Sequence, residues 1–166
     1  MIPDPRTCDY GGGHGQAFIL GLDPGKARCG LAVAQEDSSI ALPLAVVQTE
    51  PRETLAGRVR SVLAHRKAIR LVTGLPLDQR GREGAAAVWA RELAQELACE
   101  LGVPVSFIDE RFTTREAYAT RQRSGVKAKR NRESIDAAAA TLILQSYLDS
   151  RAYDSTMADR IDETKS

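Results

Sequence analysis

Two short apolar segments near the start of the chain lie close enough together to form a hairpin. The first is Phe18 to Leu22 and the second is Cys29 to Ala34. Short, strongly apolar segments of this kind are typical of buried strands, and Asp23-Pro24-Gly25 between them has the composition of a turn. We therefore predict two adjacent strands at the start of the ordered chain.

Strands and helices alternate along the rest of the sequence. Extended segments are predicted at 40–48, 69–73 and 103–108, and helices at 51–65, 84–101 and 134–149. Pro43 favours an edge position for the third strand. A hairpin followed by strand–helix–strand crossovers predicts an α/β fold, with a mixed five-stranded sheet flanked by helices. At 166 residues, the chain suits one domain at residues 17–150, with a flexible leader at 1–16 and a flexible tail at 151–166.

The composition excludes several classes of protein. Apolar residues make up 43% and charged residues 27% of the chain, which is a globular balance. The three cysteines have no CxxC spacing, which argues against a disulfide framework and against a structural zinc site. No segment approaches the roughly 20 apolar residues of a membrane span, and the N-terminus is not a secretion signal. We expect a soluble cytoplasmic protein that does not contact a membrane.

The charge is unevenly distributed, although the net charge is only +1. Residues 111–132 contain eight basic side chains and one acidic side chain. Such an excess predicts a polyanionic partner. Most of the basic residues of the chain are arginines. Arginine suits bidentate phosphate contacts, but a GC-rich genome would also produce a high arginine content. The residues of this segment that we expect to bind nucleic acid are Arg111, Arg115, Lys127, Lys129, Arg130 and Arg132.

Three carboxylates occupy positions that suit a metal site. Asp23 ends the first strand, Glu110 follows the fifth, and Asp136 lies in the first turn of the last helix. The carboxyl ends of neighbouring strands gather ligands in open α/β sheets, and oxygen-only ligand sets select Mg²⁺ or Mn²⁺. The same positions would also suit purely structural roles without a metal. Asp136 would then compensate the helix dipole, Glu110 would form a surface ion pair, and Asp23 would belong to an ordinary turn.

Four motifs, in order and spread over residues 18–150, resemble those of the YqgF (RuvX) family. The first has the form Asp-x-Gly-x-x-Arg-x-Gly, and the last is an alanine-rich helix. They are Leu20–Val33, Gly74-Leu75-Pro76 with Gly81-x-Glu83-Gly84, Asp109–Thr114, and Ile135–Asp149. Cys29 stands where the family usually has an aliphatic residue, and neither the leader nor the tail matches the pattern.

The resemblance implies an RNase H-like fold and a nuclease that depends on Mg²⁺ or Mn²⁺. Asp23, Glu110 and Asp136 match the acidic positions of the family and would be both catalytic and metal-binding, with Asp23 bridging two ions. Lys26, Arg28 and Arg111 would position the scissile phosphate, and a mobile segment at 124–132 would clamp the backbone of the substrate. The family suggests two roles, maturation of the 5′ end of the 16S rRNA precursor, which we favour, and Holliday junction resolution.

Two other functions remain as alternatives. Actin-like ATPases also begin with a strand and an Asp-x-Gly turn, but they need a second domain and a second phosphate loop. A non-catalytic ribosome-assembly factor would keep the basic segment without needing the acidic residues. The sequence does not distinguish RNA from DNA, because that choice depends on contacts to 2′-hydroxyl groups. A junction substrate with two-fold symmetry would favour a homodimer.

Overall fold

The computed structural model describes residues 16–112 and 132–163, with side chains described for 16–111 and 137–154. Five strands, three α-helices and two 3₁₀ turns make up this part of the chain. In order they are β1 (Ala17–Asp23), β2 (Arg28–Gln35), β3 (Leu42–Gln48), a 3₁₀ turn (Arg52–Thr54), α1 (Leu55–Leu63), β4 (Lys67–Leu75), α2 (Ala85–Leu101), β5 (Val105–Asp109), a 3₁₀ turn (Glu110–Phe112) and α3 (Arg132–Glu163).

The strands form one mixed sheet in the order β3-β2-β1-β4-β5. β1 pairs antiparallel with β2, from Phe18 opposite Gln35 to Asp23 opposite Gly30. β2 also pairs antiparallel with β3, whereas β4 is parallel to both β1 and β5. The predicted five-stranded mixed sheet is therefore confirmed, with β3 at an edge. This order brings the carboxyl ends of β1, β4 and β5 to the same edge of the sheet.

Successive side chains of β1 point to opposite faces of the sheet, so this strand contributes to two cores. Leu20 and Leu22 belong to the core under α1 and α2, together with Val59 and Leu93. Ile19 belongs to the core under α3. Burying one large aliphatic side chain contributes about 1.5–3 kcal/mol, and both cores contain several. β1 is consequently held on both faces, which fixes the position of its last residue, Asp23.

α3 packs directly on β1 and crosses it from the carboxyl end towards the start. A Cβ on Gly21 would lie 2.9 Å from the Leu144 Cβ and 3.0 Å from the Ala140 carbonyl oxygen, so the helix backbone approaches closely. Further along α3, the Gln145 side chain accepts a hydrogen bond from the Ala41 amide (3.0 Å) and donates one to the Ser39 carbonyl (2.8 Å). These contacts set the register of α3, and its N-terminal residues extend towards the end of β1.

Most of the predicted boundaries differ from the observed ones by no more than two residues, as is usual at the ends of elements. Two ends are exceptions: α1 begins at Leu55 rather than at Pro51, because Arg52–Thr54 forms a 3₁₀ turn, and α3 ends later than expected. We expected this helix to stop at Asp149, but it continues to Glu163. Residues 151–154 are exposed, so they carry no apolar pattern that would have predicted a helix, whereas extending a helix that has already formed costs little. The division of the chain into leader, domain and tail stays a prediction.

Two predictions fall outside the described residues. The sequence also predicts a short helix that opens with the capping box Thr113-x-x-Glu116, and this box lies in the stretch between Phe112 and Arg132, as does all but the last residue of the segment 124–132. In the part of the chain that the structure describes, no helix is long and apolar enough to cross a membrane.

Candidate active site

Asp23 lies at the end of β1, where its side chain is half-buried. The residue that follows β3 holds the turn after Asp23: the Thr49 hydroxyl donates a hydrogen bond of 2.6 Å to the Gly25 carbonyl. The Cys29 sulfur lies 3.2 Å from the same hydroxyl. Gly25 is required here, since a Cβ would collide with the Arg28 carbonyl oxygen. The position of Asp23 is thus determined by the strand before it and by a buried polar contact after it.

Glu110 begins the 3₁₀ turn after β5, and its half-buried side chain lies across β4. A Cβ on Gly74 would lie 2.8 Å from the Glu110 Cγ and would overlap its Oε1. Because β4 separates β1 from β5, a carboxylate over Gly74 is directed towards the end of β1. Burial raises the pKa of Glu110, and the negative charges of Asp23 and Asp109 raise it further. The structure therefore brings Asp23 and Glu110 together.

Asp109 and Arg111 flank Glu110 and bind one another. The Arg111 guanidinium donates to the Asp109 carboxylate from Nε (2.8 Å) and Nη2 (2.5 Å), and the Arg111 amide donates to Oδ1 (3.0 Å). These hydrogen bonds lower the pKa of Asp109 and keep it ionised. Arg111 forms an ion pair with Asp109. The Asp109–Arg111 pair thus stabilises the turn that carries Glu110.

Asp136 lies in the first part of α3, one turn before Ala140, and its side chain is outside the described set. The Ala140 carbonyl is in contact with Gly21 on β1. Since α3 runs from the carboxyl end of β1 towards its start, position 136 of the helix lies at the edge of the sheet that carries Asp23. A role for Asp136 as the third ligand stays a prediction.

The predicted nucleic-acid-binding residues fall into two groups. Lys26 is exposed and Arg28 is half-buried, and both flank the turn that follows Asp23; Arg111 is exposed at the end of β5. These three therefore lie at the same edge as the carboxylates. The other five lie within residues 112–136, whose side chains the structure does not describe: Arg115, Lys127, Lys129, Arg130 and Arg132.

The donors that converge here suit a hard cation. Asp23 and Glu110 offer only oxygen atoms, and the nearby Cys29 thiol is buried against Thr49. The raised pKa of Glu110 marks a site where a nearby positive charge would be stabilising. Among the side chains of residues 16–111 and 137–154, no group of three or more His, Cys, Asp or Glu is placed to hold a metal. The third expected ligand, Asp136, does not belong to that set.

Sequence reasoning missed two residues that shape the site. Gly74 belongs to the second of the four motifs, but the order of the strands is what makes it leave room for Glu110 across β4. Thr49 is fully buried although it is polar. The sequence around Thr49 gives no sign of this role, because its partner Gly25 lies far away in the chain, between β1 and β2.

The strand order, with α1 and α2 on one face of the sheet and α3 on the other, defines an RNase H-like fold. Residues 17–150 match the sequence model of the RuvX family, which is described as Holliday junction resolvase. The chain belongs to this family, and the resemblance noted in the sequence is confirmed.

Relatives and solved structures agree with this assignment. A protein of Anaeromyxobacter sp. (strain Fw109-5), named "Putative pre-16S rRNA nuclease", is 44% identical over 80% of this chain and 96% of its own length. A Mycobacterium ulcerans protein of the same name is 38% identical over 89% of this chain and 86% of its own. The structure of Thermus thermophilus RuvC is 25% identical, with a TM-score of 0.55, over 81% of this chain and 96% of that chain. RuvC of the same organism in complex with a Holliday junction substrate is 26% identical, with a TM-score of 0.54, over 82% and 96%.

Proposed function

We propose that this protein is a metal-dependent nuclease that hydrolyses phosphodiester bonds in structured nucleic acid, with the 5′ end of pre-16S rRNA as its substrate. The observation that carries the proposal is the convergence of Asp23 and Glu110 at one edge of the sheet, where the pKa of Glu110 is raised. The name shared by the relatives from Anaeromyxobacter and Mycobacterium ulcerans supports rRNA as the substrate. Because ribosomal RNA is processed where ribosomes assemble, we propose a cytoplasmic location.

Asp23, Glu110 and Asp136 would hold Mg²⁺ or Mn²⁺, and we propose two ions. When bound, divalent cations supply Lewis acidity for in-line attack on a phosphodiester and neutralise the charge that develops. The residues of the chain hold and orient the substrate. Lys26 and Arg28 flank Asp23 and would contact the scissile phosphate, while Arg111 adds positive charge and stabilises the turn that carries Glu110.

Basic residues beyond the site would hold the nucleic acid through its backbone. Phosphate contacts position a nucleic acid without reading its sequence, which suits a substrate chosen for its shape. We propose that Arg115 and the basic residues from Lys127 to Arg132 bind the backbone of the substrate away from the scissile bond. The excess of positive charge in residues 111–132 supports this.

Holliday junction resolution is the second candidate. The description of the matching family and the similarity to RuvC bound to a junction favour it. A four-way junction has two equivalent strands to cut, so this activity would favour a homodimer. The two candidates therefore differ in both substrate and oligomeric state.

Cleavage assays on two labelled substrates test the proposal. The wild-type protein, Asp23→Asn and Asp136→Asn are incubated with Mg²⁺ or Mn²⁺ and either pre-16S 5′-leader RNA or a four-way DNA junction. Asp37→Asn is the matched control, because Asp37 is an exposed aspartate near the opposite end of β1. We expect RNA cleavage to fall at least about 10³-fold in both site variants, as for residues that act as a catalytic unit, and to be unchanged in Asp37→Asn.

Each other result selects a different function. Paired symmetric nicks in the junction, with a dimer in solution, would make the protein a resolvase. Cleavage of both substrates would mean that the site recognises backbone shape and that partners select the substrate. Binding without cleavage, equal in EDTA and in Mg²⁺, would make it a binding module and contradict the proposal.

A further inference from the structure

The motif around Gly81 lies on a loop whose function the acidic site does not explain. This loop, residues 76–84, connects the end of β4 to the start of α2. β4 lies between β1 and β5, and its last residue, Leu75, is opposite Asp109 in the register with β5. The loop 76–84 therefore leaves the sheet at the edge that carries Asp23 and Glu110.

Asp78 gives the loop a defined shape. Its carboxylate accepts hydrogen bonds from the amides of Arg80 (2.8 Å) and Arg82 (2.9 Å) and from the Arg82 Nε (3.0 Å). The backbone closes the turn, with the Gly81 amide donating to the Asp78 carbonyl and the Asp78 amide to the Arg82 carbonyl, both at 2.9 Å. Arg80 is thereby presented at the tip of an ordered turn.

Contact between Gly81 and Arg111 ties the loop to the site. Gly81 has a φ of 77°, and a Cβ there would lie 3.0–3.4 Å from the Arg111 guanidinium. Arg111 in turn holds Asp109, next to Glu110. The chain of contacts from Gly81 through Arg111 to Asp109 sets where the loop lies relative to the carboxylates.

Arg80 differs from the other charged residues near the loop. Arg82 pairs with Asp78, and Glu83 pairs with Arg91. The exposed Arg80 side chain makes no hydrogen bond or ion pair with the described part of the chain. A charged side chain held on an ordered turn, beside a site for a polyanion and without a partner among the described residues, is suited to a phosphate group.

We propose that the loop 76–84 is a second contact for the nucleic-acid backbone, in which Arg80 binds a phosphate near the scissile one and the Gly81–Arg111 contact sets its position. This inference rests on the proposed nuclease function and adds a substrate contact to it. It assigns Arg80 to binding and leaves the chemistry of cleavage to the carboxylates.

The test compares Arg80→Ala with Arg66→Ala. Arg66 precedes β4 at the opposite end of the same strand, where its guanidinium lies over the Phe18 ring, so both variants remove one arginine charge. The dissociation constants of the pre-16S 5′-leader RNA and of the four-way junction are measured in EDTA over a range of salt concentrations. For Arg80→Ala we expect binding about tenfold weaker and a salt dependence reduced by about one unit of slope. Arg66→Ala should bind like the wild type, and Arg80→Lys should recover most of the affinity.

Cleavage kinetics separate failure of this inference from failure of the proposed function. Arg80→Ala is expected to raise KM and leave kcat nearly unchanged. Wild-type binding and KM in Arg80→Ala, alongside normal cleavage, would overturn the inference and leave the nuclease function standing. Equal losses in Arg80→Ala and Arg66→Ala would also overturn it, because only overall charge would then matter. If the wild type neither binds nor cuts either substrate, the proposed function fails and the inference fails with it.

A charge-neutral variant tests the position of the loop. Gly81→Ala keeps Arg80 but strains the left-handed backbone and crowds the Arg111 guanidinium. We expect a folded protein, checked by its melting temperature, that binds several-fold more weakly. Wild-type binding by folded Gly81→Ala would contradict the part of the inference that assigns positioning to the Gly81–Arg111 contact.

Discussion

The two ends of β1 both lie near carboxylates, but in different surroundings. Glu36 and Asp37 follow β2 beside the start of β1, and both are exposed. Asp23 and Glu110 gather at the other end, where both are half-buried and where burial and neighbouring charge raise the pKa of Glu110. Carboxylates that water solvates separately need no partner, whereas carboxylates drawn together out of water favour the binding of a cation. The two ends of β1 therefore differ in how their carboxylates are placed and buried, and this placement, not the residue type, distinguishes the candidate site.

Among substitutions that leave every carboxylate in place, replacing Gly74 should have the largest effect on the candidate site. The Cβ of Gly74→Ala would overlap the Glu110 carboxylate and approach Ile143 Cδ1 to 2.9 Å. A displacement of about 1 Å in a catalytic group can cost about 10²-fold in rate, and we expect a loss of that order in nuclease activity. The measurement is kcat on the cleaved substrate, with Mg²⁺ or Mn²⁺ at saturation.

Gly57→Ala is the matched control. Gly57 lies in α1, and a Cβ there has nothing within 4 Å. Because alanine favours a helix over glycine by about 1 kcal/mol, this variant should be slightly more stable and fully active. Equal activity in the two alanine variants would mean that Glu110 does not need its position over Gly74.

Thr49 allows a finer test, because it acts on Asp23 only through the turn at Gly25. Thr49→Val removes the hydrogen bond to the half-buried Gly25 carbonyl, which should cost about 0.5–1.5 kcal/mol of stability and lower kcat about tenfold. Thr49→Ser keeps the hydroxyl and should recover kcat, although it loses a buried methyl group. Urea unfolding and kcat are measured on both variants; if serine does not restore kcat, Thr49 is a packing residue only.

The smallest expected effect is thermal and needs no substrate. Asp23→Asn removes a charge that opposes ionisation of Glu110, so the metal-free variant should melt a few degrees higher than the wild type, on the order of 2–4 °C. Mg²⁺ should raise the melting temperature of the wild type more than that of Asp23→Asn. Differential scanning calorimetry in EDTA and in Mg²⁺ provides both values. An unchanged or lower melting temperature in EDTA would mean that the carboxylates do not converge.

The same variant has a predicted pH dependence. In the folded state the pKa of Glu110 is raised, so ionisation of this carboxyl costs stability as pH rises from its ordinary range through the raised pKa. The advantage of Asp23→Asn should therefore be present at neutral pH and absent below about pH 4, the ordinary range of a glutamate carboxyl, because Glu110 is then protonated in both proteins. A gain that does not change with pH would need a cause other than charge repulsion.

Local patterns in the sequence predicted most of the fold. The apolar strands, the turn at Asp23-Pro24-Gly25 and the helix at 84–101 each depend on residues close together in the chain, so the sequence pattern shows them directly. The end of α3 could not be predicted in this way, because residues 151–154 are exposed and lack a stripe. Of the site, the sequence indicated which carboxylates follow which strands, but not how their side chains meet.

What the sequence by itself determined is the set of elements, their order, and the placement of Asp23 and Glu110 just where strands end. Only the tertiary structure decided that Glu110 lies over Gly74, that the Thr49 hydroxyl holds the turn at Gly25, and that Gly81 rests on Arg111. Each of these contacts joins segments far apart in the chain. The contacts of Glu110 and Gly81 depend on β4 lying beside β5, and the contact of Thr49 depends on β3 lying beside β2. The physical reason is that local conformation follows from neighbouring residues, whereas close contact across a sheet depends on strand order and on how much room a glycine leaves.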